Sequence, residues 1–349
     1  MKINNGWQES FMENNKEILK IKSYVEEYYD LKIDKIEKVK NSYKISTKDE
    51  GYCLKVIKYE FSHFYFILSA MKHLQRNGFT NIPKFILNKE KKEYGNIEGK
   101  YVYLTKWIPS RVSNYDNPLE LALVSNELAK LHECSKGFTL EKNMKPRIGW
   151  FSWLKVFETR KNEILDFKNR ISQKAYKSKF DLLYLDNINK EVNRAEKSIL
   201  GLQKNNYVKL MEQEVFKRSF CHHDYAHHNI LVDTNRKINI IDFDYCILDS
   251  HLHDLCSLLI RTMKDGKWEK KKADLILNAY KSNMEVKEEE IPIIREFIRF
   301  PQAFWQIGLQ VYWEQQPWGE EFFLNKLEKY LEDCEFREKF INSYFNGGN

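Results

Sequence analysis

The chain has 349 residues, 42% hydrophobic and 14% aromatic, with 22 Phe, 20 Tyr and 8 Trp, which supports a sizeable core and excludes a mostly disordered chain. Mean hydropathy is −0.63 and no long apolar run occurs, so no segment is expected to span a membrane. The opening MKINNGWQESFMENNKEILK has no apolar h-region, so no Sec export is expected. An excess of 57 Lys and Arg over 50 Asp and Glu leaves +7, too modest at this length to argue for a nucleic-acid partner. Six scattered cysteines with no CxxC pair point to reduced thiols and a cytoplasmic default.

Ile18, Ile21, Val25 and Tyr28 recur at helical spacing, predicting an amphipathic helix over 14–30. Three β-like runs follow at 33–40, 42–48 and 51–58. The last two alternate and are divided by Lys48-Asp49-Glu50-Gly51, a hairpin signal. Residues 60–76 read as a buried helix closed by Gly78, with further strands at 84–88 and 100–107. After Trp107, Pro109 and the polar stretch 110–117 read as a hinge, and helices dominate beyond it: 117–135, several across 150–215, then 272–284, 290–313 and 320–344. The interruption is 221–246, where Ile230–Val232 and Ile238–Ile241 flank a polar turn, Asp233–Lys237, as a hairpin should. The expectation is an α+β chain with a β-rich lobe over 1–108 and a larger helical lobe over 109–349.

Two polar clusters stand at the ends of that hairpin, His222-His223-Asp224-Tyr225-Ala226-His227-His228-Asn229 and Asp242-Phe243-Asp244. Asp242 follows Asp224 by 18 residues, so a tight hairpin brings Asp224, Asn229 and Asp242 to one end. Two carboxylates and an amide oxygen suit Mg²⁺, which shares its shell with substrate phosphates, rather than zinc. The bland alternative is turn chemistry, since Asp and Asn favour hairpin ends.

The pattern H-x-D-x-x-x-x-N, a hairpin and I-D-F-D resembles the centre of the aminoglycoside phosphotransferase and choline kinase group, with a two-lobed protein-kinase-like fold. FILSAMKHLQRNGF (66–79), YLTKWIPSR (103–111), HHDYAHHNILVD, IDFDYC and RFPQAFW (299–305) together resemble the CotS family of bacterial spore-coat proteins, over about 30–345. The resemblance implies that Asp224 is the catalytic base and that Asn229 and Asp242 are ligands of the metal on the nucleotide phosphates. It also implies that Lys55 holds the α/β-phosphates, that the backbone of Thr105–Ile108 meets the adenine, and that His222 and Asp254 support the catalytic loop. ATP or GTP with Mg²⁺, a small hydroxyl-bearing acceptor, neighbouring coat proteins, and a path from mother-cell cytoplasm to spore coat are implied in the same way.

Two departures stand out. No glycine occurs between Gly6 and Gly51, so the turn Lys40-Asn41-Ser42-Tyr43, with the Ser42 hydroxyl, takes the place of a glycine-rich loop. No acid occurs from Phe61 to Leu87, so the helix that should carry a partner for Lys55 offers only Glu60 at its start. Lys55 is accordingly expected to be unpaired or paired with Glu60 alone. Two other readings remain: a non-catalytic, kinase-shaped coat component, and a metal-dependent phosphohydrolase using the pairs His223-Asp224 and His253-Asp254. The aromatic stripe Phe297, Phe300, Phe304, Trp305, Tyr312, Trp313 and Trp318 reads as helix packing or a substrate wall. The helical segment 142–215 begins with a run, 142–179, of 11 basic and 3 acidic residues. That run is either a solvated face or a docking surface for an acidic glycan.

Overall fold

Alternating apolar residues in the first third of the chain become an antiparallel sheet clasped between two helices. The computed structural model describes residues 4–345, with side chains from residue 16; the outer ends of the two expected lobes lie outside the described residues. Helix α1 (Asn4–Tyr29) precedes β1 (Lys35–Val39), β2 (Ser42–Ser46) and β3 (Gly51–Val56); α2 (Phe61–Arg76), β4 (Gly95–Ile97) and β5 (Lys100–Lys106) follow. The strand order is β1-β2-β3-β5-β4. Because side chains alternate across a strand, Tyr52, Leu54, Val102 and Leu104 pack with Ile21 and Val25 of α1 on one face. Tyr103 meets Ile57, Phe64 and Leu68 on the α2 side.

Helix α1 begins earlier than expected, and the predicted strand at 84–88 is reduced to one bridge between Phe85 and Thr105. The β4–β5 hairpin occupies that edge, its two-residue turn placing Glu98 at φ 48° and Gly99 at φ 85°, the left-handed pair such tight turns require.

The expected hinge over 110–117 is strand in its first three residues. Ser110–Val112 form β6, which adds to the hairpin β7 (Ile230–Asp233) and β8 (Ile238–Ile240) in register Ser110↔Asp233 and Val112↔Leu231. Extended backbone leaving Pro109 finds an open strand edge there, so the lobe junction is stitched to the hairpin that carries the polar clusters. The division at 108 is also bridged. Phe66, Ile67, Met71 and Leu74 of α2 enter the core of the larger lobe, since one sheet face cannot cover both sides of this apolar helix.

The helical lobe consists of α3 (Pro118–Ser135), α4 (Ser152–Gln173), α5 (Lys179–Lys204), α6 (Tyr207–Lys217), α7 (Leu252–Met263), α8 (Lys270–Lys281), α9 (Ile291–Arg299), α10 (Gln302–Tyr312) and α11 (Glu320–Phe345). The predicted helix 290–313 is split at Phe300-Pro301, where proline cannot supply the helical N–H. A large core gathers α2, α3, the hairpin, α7 and α8, and a second joins α4, α5, α10 and α11 through Phe167, Tyr184, Phe304 and Leu327. Most of the aromatic stripe is packing: Phe300, Phe304 and Tyr312 are buried and Trp305 is partly covered, while Trp313 and Trp318 remain exposed. Within the basic run, Lys161 pairs with Glu158, Arg170 with Asp166 and Lys174 with Asp181, and the Arg160 guanidinium lies 4.3 Å from the Trp305 ring centroid.

Candidate active site

The loop 222–229 is held from beneath. Asp254, fully buried in the first turn of α7, accepts the backbone N–H of His222 at 2.7 Å and of His223 at 2.9 Å. Burial would push this carboxyl up, but His132 and His253 hold it well below the usual range. The His222 ring ties the two polar clusters together: Nε2 donates to the Ile241 carbonyl at 2.9 Å, and Nδ1 accepts the Asp224 N–H at 3.3 Å. His223 and Asp242 adopt φ of 67° and 66°, left-handed conformations costly for residues bearing a Cβ. The network around Asp254 and His222 maintains them.

Asp224, Asn229 and Asp242 are brought to the same end of the hairpin. The Asn229 amide donates to Asp224 Oδ2 at 2.9 Å and to its carbonyl at 3.0 Å, leaving the amide oxygen available to accept or to ligate a cation. The Ile241 N–H bonds the Asn229 carbonyl at 3.0 Å, which sets Asp242 beside it. Asp224 Oδ1 accepts from Arg261 of α7 at 2.9 Å.

Lys55 enters from the sheet. The expectation that it is unpaired or held by Glu60 is corrected: its Nζ lies 2.5 Å from Asp242 Oδ1 and 2.7 Å from Asp244 Oδ1, and Tyr59 donates to Asp244 at 2.9 Å. Burial disfavours the charged ammonium, but the Asp244 and Asp242 carboxylates outweigh it and hold Lys55 protonated. Burial likewise works against the Asp242 carboxylate, and Lys55 keeps it ionised. Helix α2 has no acid to offer because its face here is apolar, with Phe64 stacked on Tyr103 at 6.1 Å. The counter-charge therefore comes from the 242–244 turn, across the lobes.

Ser42 starts β2 directly across from Lys55. The adjoining turn places Lys40, rather than glycine, at φ 54°. Thr105 and Ile108 differ in availability. Thr105 is 3% exposed and paired with Cys53 on one side and Phe85 on the other. The Trp107 N–H is taken by Gly51, whereas the Ile108 N–H has no backbone partner among the described residues.

The dimetal arrangement of His223-Asp224 and His253-Asp254 does not assemble. The two imidazoles stack at 3.9 Å, but Asp224 turns to Arg261 and Asn229, while both Asp254 oxygens take backbone N–H groups. The buried ligand-type clusters among the described residues, His132-Cys221-Asp254 and Glu214-His251-Glu290, include neither His223 nor Asp224. Sequence reasoning left Asp244, Arg261, Tyr59 and His132 without a role. Asp244 was visible in the I-D-F-D motif, and Arg261 follows Asp254 by seven residues, two turns on the same helix face. Nothing in the sequence singles out Tyr59 or His132.

A small sheet carrying a buried lysine, set on a helical lobe whose hairpin ends in Asp, Asn and Asp, is a two-lobed protein-kinase-like fold. Solved structures share it. An aminoglycoside phosphotransferase from Alicyclobacillus acidocaldarius superposes with a TM-score of 0.80 at 20% identity, over 90% of this chain and 92% of that one. A spectinomycin phosphotransferase, solved with ADP and spectinomycin, gives 0.65 at 15% identity over 92% and 98%. The choline kinase LicA from Streptococcus pneumoniae gives 0.52 at 15% identity over 93% and 98%. A family profile matches residues 22–344, and the chain belongs to that spore-coat kinase family, described as "Spore coat putative kinase YutH". No described helix is long and apolar enough to cross a membrane.

Proposed function

We propose that this chain is a Mg²⁺-dependent phosphotransferase of the spore coat, moving the γ-phosphoryl group of ATP or GTP to a hydroxyl of a small molecule or glycan. The observation that carries the reading is the convergence of Lys55 from the sheet with Asp242 and Asp244, beside Asp224 and Asn229. The donor set fits the ion: carboxylate oxygens of Asp242 and Asp244 and the amide oxygen of Asn229 are hard ligands, and the nearby His222 ring is committed to Ile241 and Asp224. When bound, Mg²⁺ supplies charge neutralisation on the phosphates.

Asp224 orients the acceptor hydroxyl and receives its proton as the new oxygen–phosphorus bond forms. The bond from the γ-phosphorus to the β-phosphate oxygen breaks, and the nucleoside diphosphate leaves with that electron pair. Lys55 exchanges the carboxylates for the α/β-phosphates. Ser42 borders the phosphates from β2, and the free N–H of Ile108 meets the base, with Thr105 shaping the sheet behind it. His222 and Asp254 position the loop.

Thermal unfolding with and without Mg-ATP or Mg-GTP tests the reading. Ligand at 100 times its dissociation constant adds about 2.7 kcal/mol, and an unshifted transition at millimolar nucleotide would overturn it. The second reading, a binding component of the coat without turnover, draws support from the acid-free α2, which leaves Lys55 without a partner of its own once Asp242 and Asp244 turn to a metal. Saturable Mg-ATP binding with no phosphate transfer to any acceptor in a broad metabolite screen would establish that reading instead.

A further inference from the structure

The two oxygens of Asp224 face different groups. Oδ2 takes the Asn229 amide, and Oδ1 is held by the Arg261 guanidinium at 2.9 Å. Arg261 Nε donates to Ser257 at 3.1 Å, which fixes the side chain along α7. These bonds use two of the five guanidinium N–H groups; the others have no partner among the described residues, and the side chain is 38% exposed.

Lysines stand at the end of the same helix and on the first turn of the sheet. His228 Nε2 lies 4.0 Å from Asp224 Oδ2. Lys264 follows α7, Lys40 tops the β1–β2 turn, and both are exposed. Lys264 lies three residues beyond Arg261, where α7 ends, so the helix presents two cations in succession there. Asp116, beside Tyr115, is already tied by Lys267 at 2.7 Å and Lys272 at 3.7 Å. An ammonium entering here would meet cations and would pair with Asp224 itself, blocking the base. A carboxylate or phosphate would take the free edge of the guanidinium in a bidentate contact.

We propose that Arg261 is the receptor for an anionic group on the phosphate acceptor, so that the hydroxyl compound taken by this site carries a carboxylate or a phosphate rather than an ammonium. The inference rests on the kinase reading of Asp224 and names the acceptor class for that site. The arriving anion draws the guanidinium from Oδ1, which frees that oxygen for the hydroxyl proton.

The test uses the full chain with Mg-ATP. Glycerol 3-phosphate and glucuronate form one arm, choline and kanamycin the other. The readouts are ADP release, the phosphorus spectrum of the product, and calorimetric titration of each probe into the Mg-ADP-loaded chain. An anionic probe is expected to bind and to be phosphorylated at least about 10-fold more efficiently than either cation, and the two anionic probes separate phosphate from carboxylate. Arg261→Ala is expected to raise the KM of that probe by about 10- to 100-fold, with a smaller fall in kcat and an unchanged KM for ATP; Arg261→Lys recovers part of the loss. Equal or better use of the cations, no binding of either anionic probe to the nucleotide-loaded chain, or an unchanged acceptor KM in Arg261→Ala would overturn the inference alone. Failure to bind Mg-ATP would overturn the kinase reading and the inference with it.

Discussion

Asp224 and Asp242 are carboxylates at one end of a hairpin, yet they face different partners. Asp224 is neutralised by Arg261 at its rim, whereas Asp242 shares the buried Lys55 ammonium with Asp244. On the proposed reading, replacing Asp224 by Asn keeps the shape and removes the proton acceptor. Turnover is expected to fall by about 10²- to 10⁴-fold with Mg-ATP affinity nearly intact, as measured by single-turnover kinetics beside nucleotide titration. On the same reading Asp242→Asn removes a charged ligand and is expected to weaken nucleotide binding in Mg²⁺ but not in its absence. Equal loss of binding in both variants would contradict this division. Lys55 adds a constraint on rate. Its bonds to Asp242 and Asp244 must be exchanged for bonds to phosphate, and no acid on α2 holds it in place afterwards. Because a misplacement of about 1 Å can cost on the order of 100-fold, turnover below the ordinary kinase range of about 1–100 s⁻¹ is expected.

Among the elements, the packing of α6 against the start of α7 is set by a buried charge cluster. His251 Nδ1 lies 3.3 Å from Glu214 and its Nε2 lies 3.5 Å from Glu290, and Lys217 also pairs with Glu214. Burial works against both charges. His251 and Lys217 nonetheless hold Glu214 down at about 2, below its ordinary 4.5, and Glu214 and Glu290 raise His251 above its ordinary 6.5. Glu214 thus contributes stability that is complete above pH 4.5 and lost as pH falls toward 2, about 3 kcal/mol at most. His251 contributes stability that is complete below pH 6.5 and lost as pH rises through its raised folded value. Urea midpoints are expected to fall on both sides of that window, and His251→Asn should remove the alkaline decline. An alkaline slope identical in both proteins would refute the assignment. In α10, a Cβ at Gly308 would overlap the Tyr184 hydroxyl and the Phe167 ring. Gly308→Ala is therefore expected to cost about 1–3 kcal/mol by overpacking, read from chemical denaturation.

At the scale of the molecule, the lobes are coupled through polar contacts as well as through α2. Lys55 and Tyr59 reach the 242–244 turn, the Lys145 N–H bonds the Ser62 carbonyl at 3.0 Å, and the Ile240 N–H bonds the Asn81 carbonyl at 2.8 Å. Nucleotide between the lobes would bind both sides of this seam. Mg-ATP is therefore expected to slow amide exchange in β3 and in 242–246 together, and protection confined to one lobe would argue against a shared site.

Much of this organisation was legible in the chain. Period-2 alternation placed β2 and β3, the Asp233–Lys237 turn placed the hairpin, and fixed spacing within one hairpin brought Asp224, Asn229 and Asp242 together, because local turn geometry constrains residues so near in sequence. Helix splitting at Phe300-Pro301 was within reach of the same reasoning, since proline removes a helical donor. The partners of Lys55 and Asp224 were not. Asp242 and Asp244 lie 187 and 189 residues beyond Lys55, and Arg261 lies 37 beyond Asp224. Only the packing of sheet on helical lobe, and of α7 beneath the loop, decides which charges meet. The strand β6 follows the same rule: its sequence permits an extended segment, and the open edge of a hairpin more than a hundred residues away turns that segment into a strand.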